Sequence, residues 1–162
     1  MVVVVVGLEY PVLVTIASVA FLVVVSASLF LYLHVISELR KVPVLNGGVE
    51  VYSVAYNSTQ WMRLVITVSN ERGEPVELVQ MRIYAEGETL VVNSSSTAVI
   101  NSRGEVVQSA TIYGLVNGKV LLSGATAHVI VDIPRAYFTT GKTYQALLLF
   151  DKGTLVLSFD VK

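Results

Sequence analysis

Cysteine is absent from this 162-residue sequence, and its absence excludes several kinds of chemistry. Without thiols the chain has no disulfides, no thiolate nucleophile and no zinc site built on Cys ligands. A small domain outside the cell that lacks disulfides must be held together by core packing and by its neighbours.

Charge is also scarce. Only 14% of the residues are Asp, Glu, Lys or Arg, against about a quarter in an average soluble domain. The net charge is −1, so no strong field favours nucleic acid or an anionic membrane surface, and nucleic acid is not an expected partner. Nearly all of the charges follow Ser37, which divides the chain sharply by composition.

The first 37 residues contain one charged side chain, Glu9. As a helix this run would extend roughly 54 Å at 1.5 Å per residue, whereas a bilayer core of about 30 Å needs only about 20 apolar residues. We therefore predict that residues 1–41 form a hydrophobic helix that belongs in a membrane or in a bundle of its own copies.

Two simpler interpretations of this arm fit poorly. A cleavable signal peptide has a basic start and a short apolar core, and this run has neither. A plain membrane anchor conflicts with the positive-inside rule, because Arg40 and Lys41 would keep the following domain in the cytoplasm. That domain instead has the sequence features of an outward-facing one.

Several residues of the arm suggest how it would assemble. Pro11 cannot donate a hydrogen bond to Gly7, which predicts a kink. Small residues allow close packing between apolar helices, and the candidates are Ala17, Ala20, Ser26, Ala27 and Ser28. The five valines at residues 2–6 either continue the helix or form an extended strand donated to a neighbour.

Glu9 is the most informative single residue of the arm. A lone carboxylate in an apolar run costs at least a few kcal/mol unless it is paired or neutralised. One interpretation is that Glu9 is protonated or snorkels towards water near one end of the helix. The sharper hypothesis is that it pairs with the N-terminal amine of its own chain or of an adjacent subunit. Such a pair would favour one register between helices.

A hinge is predicted at residues 42–48, where Pro43 stops the helix and Gly47 and Gly48 supply a flexible joint. The hydrophobic period then changes to two. Strands are predicted at residues 49–56, 61–69, 76–84, 89–93, 97–101, 105–113, 119–123, 127–133, 143–150 and 154–161. The fold class is therefore α+β, a long N-terminal hydrophobic helix followed by an all-antiparallel, Ig-like β-sandwich at residues 49–162.

The turn residues support this division into short strands. Asn117-Gly118 is the sharpest hairpin signal in the sequence. In the strand at residues 61–69, Met62, Leu64, Ile66 and Val68 alternate with Trp61, Arg63, Thr67 and Ser69. One face of that strand is therefore expected to be core and the other surface.

No motif for catalysis or metal binding is present in the sequence. The two histidines, His34 in the arm and His128 in a strand, belong to no motif. We expect a protein that is not an enzyme and uses no cofactor or metal. Asn57-Ser58-Thr59 and Asn93-Ser94-Ser95 fit the N-glycosylation sequon, so Asn57 and Asn93 are candidate glycosylation sites.

The stretch that runs from Val5 through Gly7 and Glu9 to Ala17 resembles the mature N-terminus of archaeal type IV pilin-like filament proteins, namely archaellins (archaeal flagellins) and adhesive pilins. In that family a Gly followed two residues later by a Glu opens a long apolar helix that leads to a β-sandwich. The matched motif covers about the first thirty residues. The remainder agrees with the family only in its fold class.

The chain also departs from that family. Family members are made with a short basic leader that a dedicated peptidase removes, but no Lys or Arg precedes Glu9 here. A mature chain of the family type would begin near Val5, with residues 1–4 a remnant of the leader. In the alternative, the sequence is already processed and the extra valines lengthen the helix.

The resemblance implies a structural subunit of an extracellular filament for adhesion or motility, with a precursor held in the membrane. Its partners would be its own copies, lipid before assembly, an assembly ATPase with a membrane platform protein, and other cell surfaces or filaments. The competing hypothesis is a permanently membrane-anchored sandwich, such as an archaellum stator-like or S-layer-associated accessory protein.

Overall fold

The structure is a computed structural model that describes residues 10–162. The chain divides into two compact units, Met1–Arg40 and Lys41–Lys162. The described part of the first unit belongs to helix α1, Tyr10–Lys41, in which no residue is buried. Its 32 residues correspond to about 48 Å of helix. The predicted long apolar helix is confirmed over this range.

The second unit is an antiparallel β-structure of ten strands within the described residues. The strands are β1 Val44–Tyr56, β2 Thr59–Arg72, β3 Val76–Ala85, β4 Glu88–Asn93, β5 Ala98–Ile100, β6 Val106–Tyr113, β7 Val120–Leu121, β8 Thr126–Pro134, β9 Thr143–Phe150 and β10 Gly153–Asp160. A 3-10 helix, Arg135–Tyr137, joins β8 to β9. The α+β fold class is confirmed.

Nine of these strands form one continuous hydrogen-bonded path in the order β1-β2-β8-β6-β5-β4-β3-β9-β10, and β7 pairs with β3 beside it. The path curls so far that it nearly closes into a barrel or sandwich. Because every step is antiparallel and the number of strands is odd, β1 and β10 run in the same direction. Closing the seam would need a parallel ladder, and none joins these two strands in the described residues.

A single hydrophobic core fills the inside of this curled sheet. Side chains in a strand alternate between two faces, and β2 shows the alternation clearly: Met62, Leu64, Ile66 and Val68 are at most 1% exposed. The intervening residues of β2 point outwards and are half-buried. The predicted core face of this strand is confirmed.

The predicted hinge at residues 42–48 needs correction. β1 begins at Val44, so Gly47 and Gly48 lie inside a strand, opposite Val68 and Thr67 of β2. The Lys41 carbonyl accepts a hydrogen bond of 2.8 Å from the Glu74 N–H. Pro43 does lie between the end of α1 and the start of β1. The β1–β2 ladder pairs the backbone of this segment with β2, and this pairing outweighs the local flexibility of the two glycines.

The two glycines differ in the space around them, and this gives a matched pair of substitutions. A Cβ on Gly47 would collide with the Thr67 carbonyl oxygen and approach Leu155 Cδ2 of β10 to 3.2 Å, whereas a Cβ on Gly48 would meet nothing within 4 Å. We expect Gly47→Ala to lower the free energy of unfolding of the β unit by about 2 kcal/mol. Gly48→Ala should leave it nearly unchanged, and chemical denaturation of both variants measures the difference. Equal tolerance of both substitutions would contradict the paired position of Gly47.

Two tight turns follow from local sequence. Asn57 and Ser58 both have positive φ, 47° and 66°, and join β1 to β2 as a two-residue hairpin. Asn117 and Gly118, at 52° and 74°, close the bridge between Val116 and Val120. Such turns need left-handed backbone at both central positions, which Asn and Gly adopt at little cost. The predicted turn at Asn117-Gly118 is confirmed, while that at Asn57 was not foreseen as a hairpin.

Candidate assembly surface

Helix α1 presents a large apolar surface that no other described part of its own unit covers. Phe30, Phe21 and Leu31 are 74%, 68% and 66% exposed. The helix is long and apolar enough to cross a membrane by length and composition. A soluble protein rarely leaves so large an apolar patch in water, because its hydration is costly. This surface is therefore the first candidate for a functional contact.

The predicted small residues do not all share one side of α1. Ala17, Ala20 and Ala27 follow each other at spacings of three and seven residues, which places them on one stripe of a helix with 3.6 residues per turn. Ser28 follows Ala17 by eleven residues and lies about 20° from it, at the edge of this stripe, whereas Ser26 is turned by about 100° from Ala27 and faces away from Ala17. We call the stripe of Ala17, Ala20 and Ala27 the alanine stripe.

The hydroxyl groups of the helix bond to their own backbone. The Oγ of Ser28 donates to the Val24 carbonyl at 2.8 Å, and the Oγ of Ser18 donates to the Val14 carbonyl at 2.8 Å. Thr15 does the same to the Pro11 carbonyl at 2.9 Å. These donors therefore need no partner in lipid or in a neighbouring helix. Ser28 acts here as a small side chain rather than as an interhelical donor.

Two shallow grooves lie on the surface of α1 where small side chains stand between larger ones. The first, of about 560 Å³, is lined by Val14, Ala17, Ser18, Phe21 and Leu22. The second, of about 460 Å³, lies further along and is lined by Ala27, Ser28, Leu31, Tyr32 and Val35. Grooves of this kind receive the side-chain ridge of another helix. Both are lined mainly by apolar atoms, which suits a dry contact.

Gly7 and Glu9 lie outside the described residues, as do the five valines at residues 2–6. The partner of Glu9 and the conformation of the valines stay predictions. The kink at Pro11 involves its missing bond to Gly7, so it also stays a prediction.

The two sequons occupy different environments. Asn57 is exposed at the tip of the β1–β2 hairpin. Asn93 is half-buried at the end of β4, and its Oδ1 accepts a hydrogen bond of 3.1 Å from Gln80 Nε2. Only the first asparagine therefore presents its side chain freely to solvent.

The structure reveals a polar network on the sheet that the sequence did not indicate. Arg63 donates from Nε and from one terminal nitrogen to the two carboxylate oxygens of Asp132, both at 2.8 Å. Its terminal nitrogen also donates to the Tyr56 hydroxyl at 2.5 Å, and the guanidinium lies 6.0 Å from that ring's centroid. The hydrogen bond to Asp132 raises the pKa of Arg63. Residues 69 apart in sequence form this pair, so only strand register could bring them together.

Tyr52 and Glu50 interact along β1 in the same region. The Tyr52 hydroxyl donates to Glu50 Oε2 at 2.5 Å. This hydrogen bond, together with the negative charge of Glu50, raises the pKa of Tyr52. The Glu50 carboxylate has no cationic partner among the described residues.

The histidines and the described carboxylates show no arrangement for metal binding. His34 stacks on Phe30 with 6.5 Å between ring centroids, and His128 Nδ1 lies 3.1 Å from Thr67 Oγ1. Within residues 10–162 no group of three metal-binding side chains comes together.

A cleft of about 370 Å³ opens at the β1–β10 seam and is lined by Val49, Val51, Ser53, Met62, Asp160 and Lys162.

The chain matches no protein-family model, and no curated protein is detectably similar to it in sequence.

Proposed function

We propose that this protein is the structural subunit of an extracellular helical filament of the type IV pilus kind. The α1 helices of many copies pack together in the filament core, and the β units form the outer layer. One observation carries this proposal: a helix of 32 residues that carries no charged side chain over residues 10–37 and buries none of its residues within its own unit. Such a helix needs an apolar environment throughout its life. Lipid supplies it before assembly and neighbouring copies supply it afterwards.

Two features favour a filament over a permanent membrane anchor. The uncharged part of the helix, residues 10–37, spans about 42 Å, beyond the bilayer core of about 30 Å. The alanine stripe and the two grooves also provide contact sites for other helices, which a single anchor does not need. A permanently anchored β-sandwich protein is the alternative that the experiment must separate.

The resemblance of residues 5–17 to archaeal pilins and archaellins supports the same function and supplies its partners. Extraction of the helix from lipid would require an assembly ATPase and a membrane platform protein. The β unit would contribute solubility, lateral contacts and adhesion to other surfaces. The filament would lie on the cell surface, with a precursor pool in the membrane, and the subunit would have no enzymatic activity.

The test is electron microscopy of sheared cell-surface material together with mass spectrometry of the N-terminus of the chain. Filaments that contain this chain are expected. Recovery of the chain only from detergent-solubilised membrane would contradict the proposal and support the permanent anchor. A Glu9→Leu variant should assemble poorly while its β unit stays folded, since the N-terminal amine predicted to pair with Glu9 would be left without a partner. Normal filaments from this variant would remove Glu9 from the assembly mechanism.

Glycosylation of the β unit should be selective between the two sequons. In a host that modifies its surface proteins, we expect Asn57 to carry the glycan, because its side chain is exposed at a hairpin tip. Asn93 should stay unmodified, because its amide is half-buried and accepts the Gln80 hydrogen bond. Intact-mass measurement of Asn57→Gln and Asn93→Gln distinguishes them, and only the first should lose the glycan mass. Loss of mass in the Asn93 variant alone would refute this assignment.

A further inference from the structure

The two outer faces of the β unit differ in chemistry. The outward side chains of β1, β2, β8 and β6 form a surface that we call the tyrosine face, represented by Tyr52, Tyr56, Trp61, Val65, Tyr113 and Ile130. Tyr52, Tyr56 and Tyr113 are 50%, 45% and 56% exposed. Aromatic residues and arginine are enriched in protein–protein interfaces. The tyrosine face has this composition, with Arg63 lying between the tyrosines.

The opposite outer face is aliphatic. Strand register aligns Val156, Leu147, Arg82, Val91 and Ile100 in one row across β10, β9, β3, β4 and β5. We call the surface around this row the aliphatic face. Val156 lies at the end of the row next to Leu147, and its side chain is 55% exposed. Arg82 is the central member of the row.

Each face carries charge that its own chain does not neutralise. On the tyrosine face Arg63 and Asp132 cancel each other. This leaves Glu50 and, at the end of β2, Glu71, whose Oε1 accepts a hydrogen bond of 3.0 Å from Asn46 Nδ2. On the aliphatic face Arg82 donates to Gln80 Oε1 at 2.7 Å and has no carboxylate partner among the described residues. Asp160 lies on the same outer side of β10 as Val156 but four residues further along, where it accepts a hydrogen bond from Thr143 at the seam cleft and not from Arg82.

These charges decide how two copies can meet. Contact between two tyrosine faces would bring the uncompensated carboxylates of both copies together. Contact between two aliphatic rows would bring the two Arg82 guanidinium groups together. Like charges in an interface are unfavourable. Contact between unlike faces instead places Glu50 of one copy near Arg82 of the next. Such a head-to-tail contact leaves a free face at each end, so it propagates from copy to copy instead of ending at a closed dimer, as a helical filament requires.

We infer that the β units of successive copies dock by the tyrosine face of one against the aliphatic face of the next, with Glu50 and Arg82 forming an ion pair between them. The occupant of each face is therefore a second copy of this chain. This inference rests on the proposed homopolymer and specifies which surfaces of the β unit meet in it.

Cross-linking of the cysteine-free chain tests this contact directly. A full-length variant with both Glu50→Cys and Arg82→Cys, treated with a short bis-maleimide on intact filaments, should give a ladder of covalent oligomers. Each single-cysteine variant should stay monomeric, because the two equivalent positions do not meet. Dimers from either single variant would show contact between like faces and overturn the inference. Filaments that form normally but give no ladder would also overturn it, and the proposed function would stand. Loss of filaments from the unmodified chain would overturn both.

Charge reversal provides the second measurement. Glu50→Arg or Arg82→Glu alone should lower the yield of filaments in moderate salt by about tenfold, since each places like charges at the contact. The double reversal should restore the yield, because the pair is re-formed with its signs exchanged. Arg72→Glu, an exposed charge at the end of β2, is the matched control and should have no effect. Failure of the double variant to recover, with its β unit folded by circular dichroism, would contradict the pairing.

Discussion

Replacing Ala20 and Ala27 together with phenylalanine is expected to abolish filaments while the β unit stays folded and the chain still enters membranes. Both residues lie on the alanine stripe, where a side chain of one carbon allows a neighbouring helix to approach closely. Two phenyl rings per subunit would overfill that space, at a cost of about 1–3 kcal/mol for each site. In a filament this cost recurs in every subunit. Electron microscopy of sheared material and membrane fractionation measure the two outcomes separately.

Two controls make this experiment specific. Ala20→Ser with Ala27→Ser keeps the side chains small and should still give filaments. Leu33→Phe adds a ring about 140° around the helix from Ala20 and about 120° from Ala27, at a residue that lines neither groove, and should disturb assembly far less. If the double phenylalanine variant produced normal filaments, the alanine stripe would not be a contact between helices.

Replacing Ile66 with aspartate is expected to unfold the β unit. Ile66 is 0% exposed in β2, between β1 on one side and β8 on the other. A carboxylate at this position would be buried without a partner, and the cost of several kcal/mol approaches the total stability of about 5–15 kcal/mol of a typical domain. Without a disulfide, no covalent link would hold the strands together. Loss of the β signal in circular dichroism and rapid proteolysis of the full-length chain in detergent would report the unfolding.

The neighbouring residue supplies the matched control. Val65 is half-buried and points to the tyrosine face, so Val65→Asp leaves the carboxylate in contact with water. This variant should retain a folded β unit with only a small loss of stability. Comparable unfolding of both variants would mean that the inward and outward faces of β2 had been assigned wrongly.

The seam between β1 and β10 explains why Gly47 matters to the fold. Strand edges expose unpaired backbone groups that can recruit other chains. Here Leu155 of β10 approaches the position that a Cβ on Gly47 would occupy, so side-chain packing covers part of the edge. The seam therefore closes by packing at the Gly47 end and opens into the cleft at Ser53 and Lys162.

Much of the fold could be predicted because it depends on local patterns. The apolar run before Ser37 predicted α1, and the alternation in β2 predicted its buried face. Strand ends were less accurate: β1 begins five residues before its predicted start, because ladder pairing with β2 outweighs the local flexibility of Gly47 and Gly48. The loop at Asn101 also depends on side-chain bonding, since its Oδ1 accepts from the Arg103 and Glu105 N–H groups.

The sequence by itself determined the division of this protein into an apolar helix and a β unit, because composition and hydrophobic period are properties of neighbouring residues. It also identified the residues of the alanine stripe, since helical spacing follows from the chain alone. Tertiary structure alone decided the order of the strands, the open seam, the Arg63–Asp132 pair and the two dissimilar outer faces. These features join residues far apart in sequence, and their positions depend on the register of strands whose pairing partners no local pattern specifies.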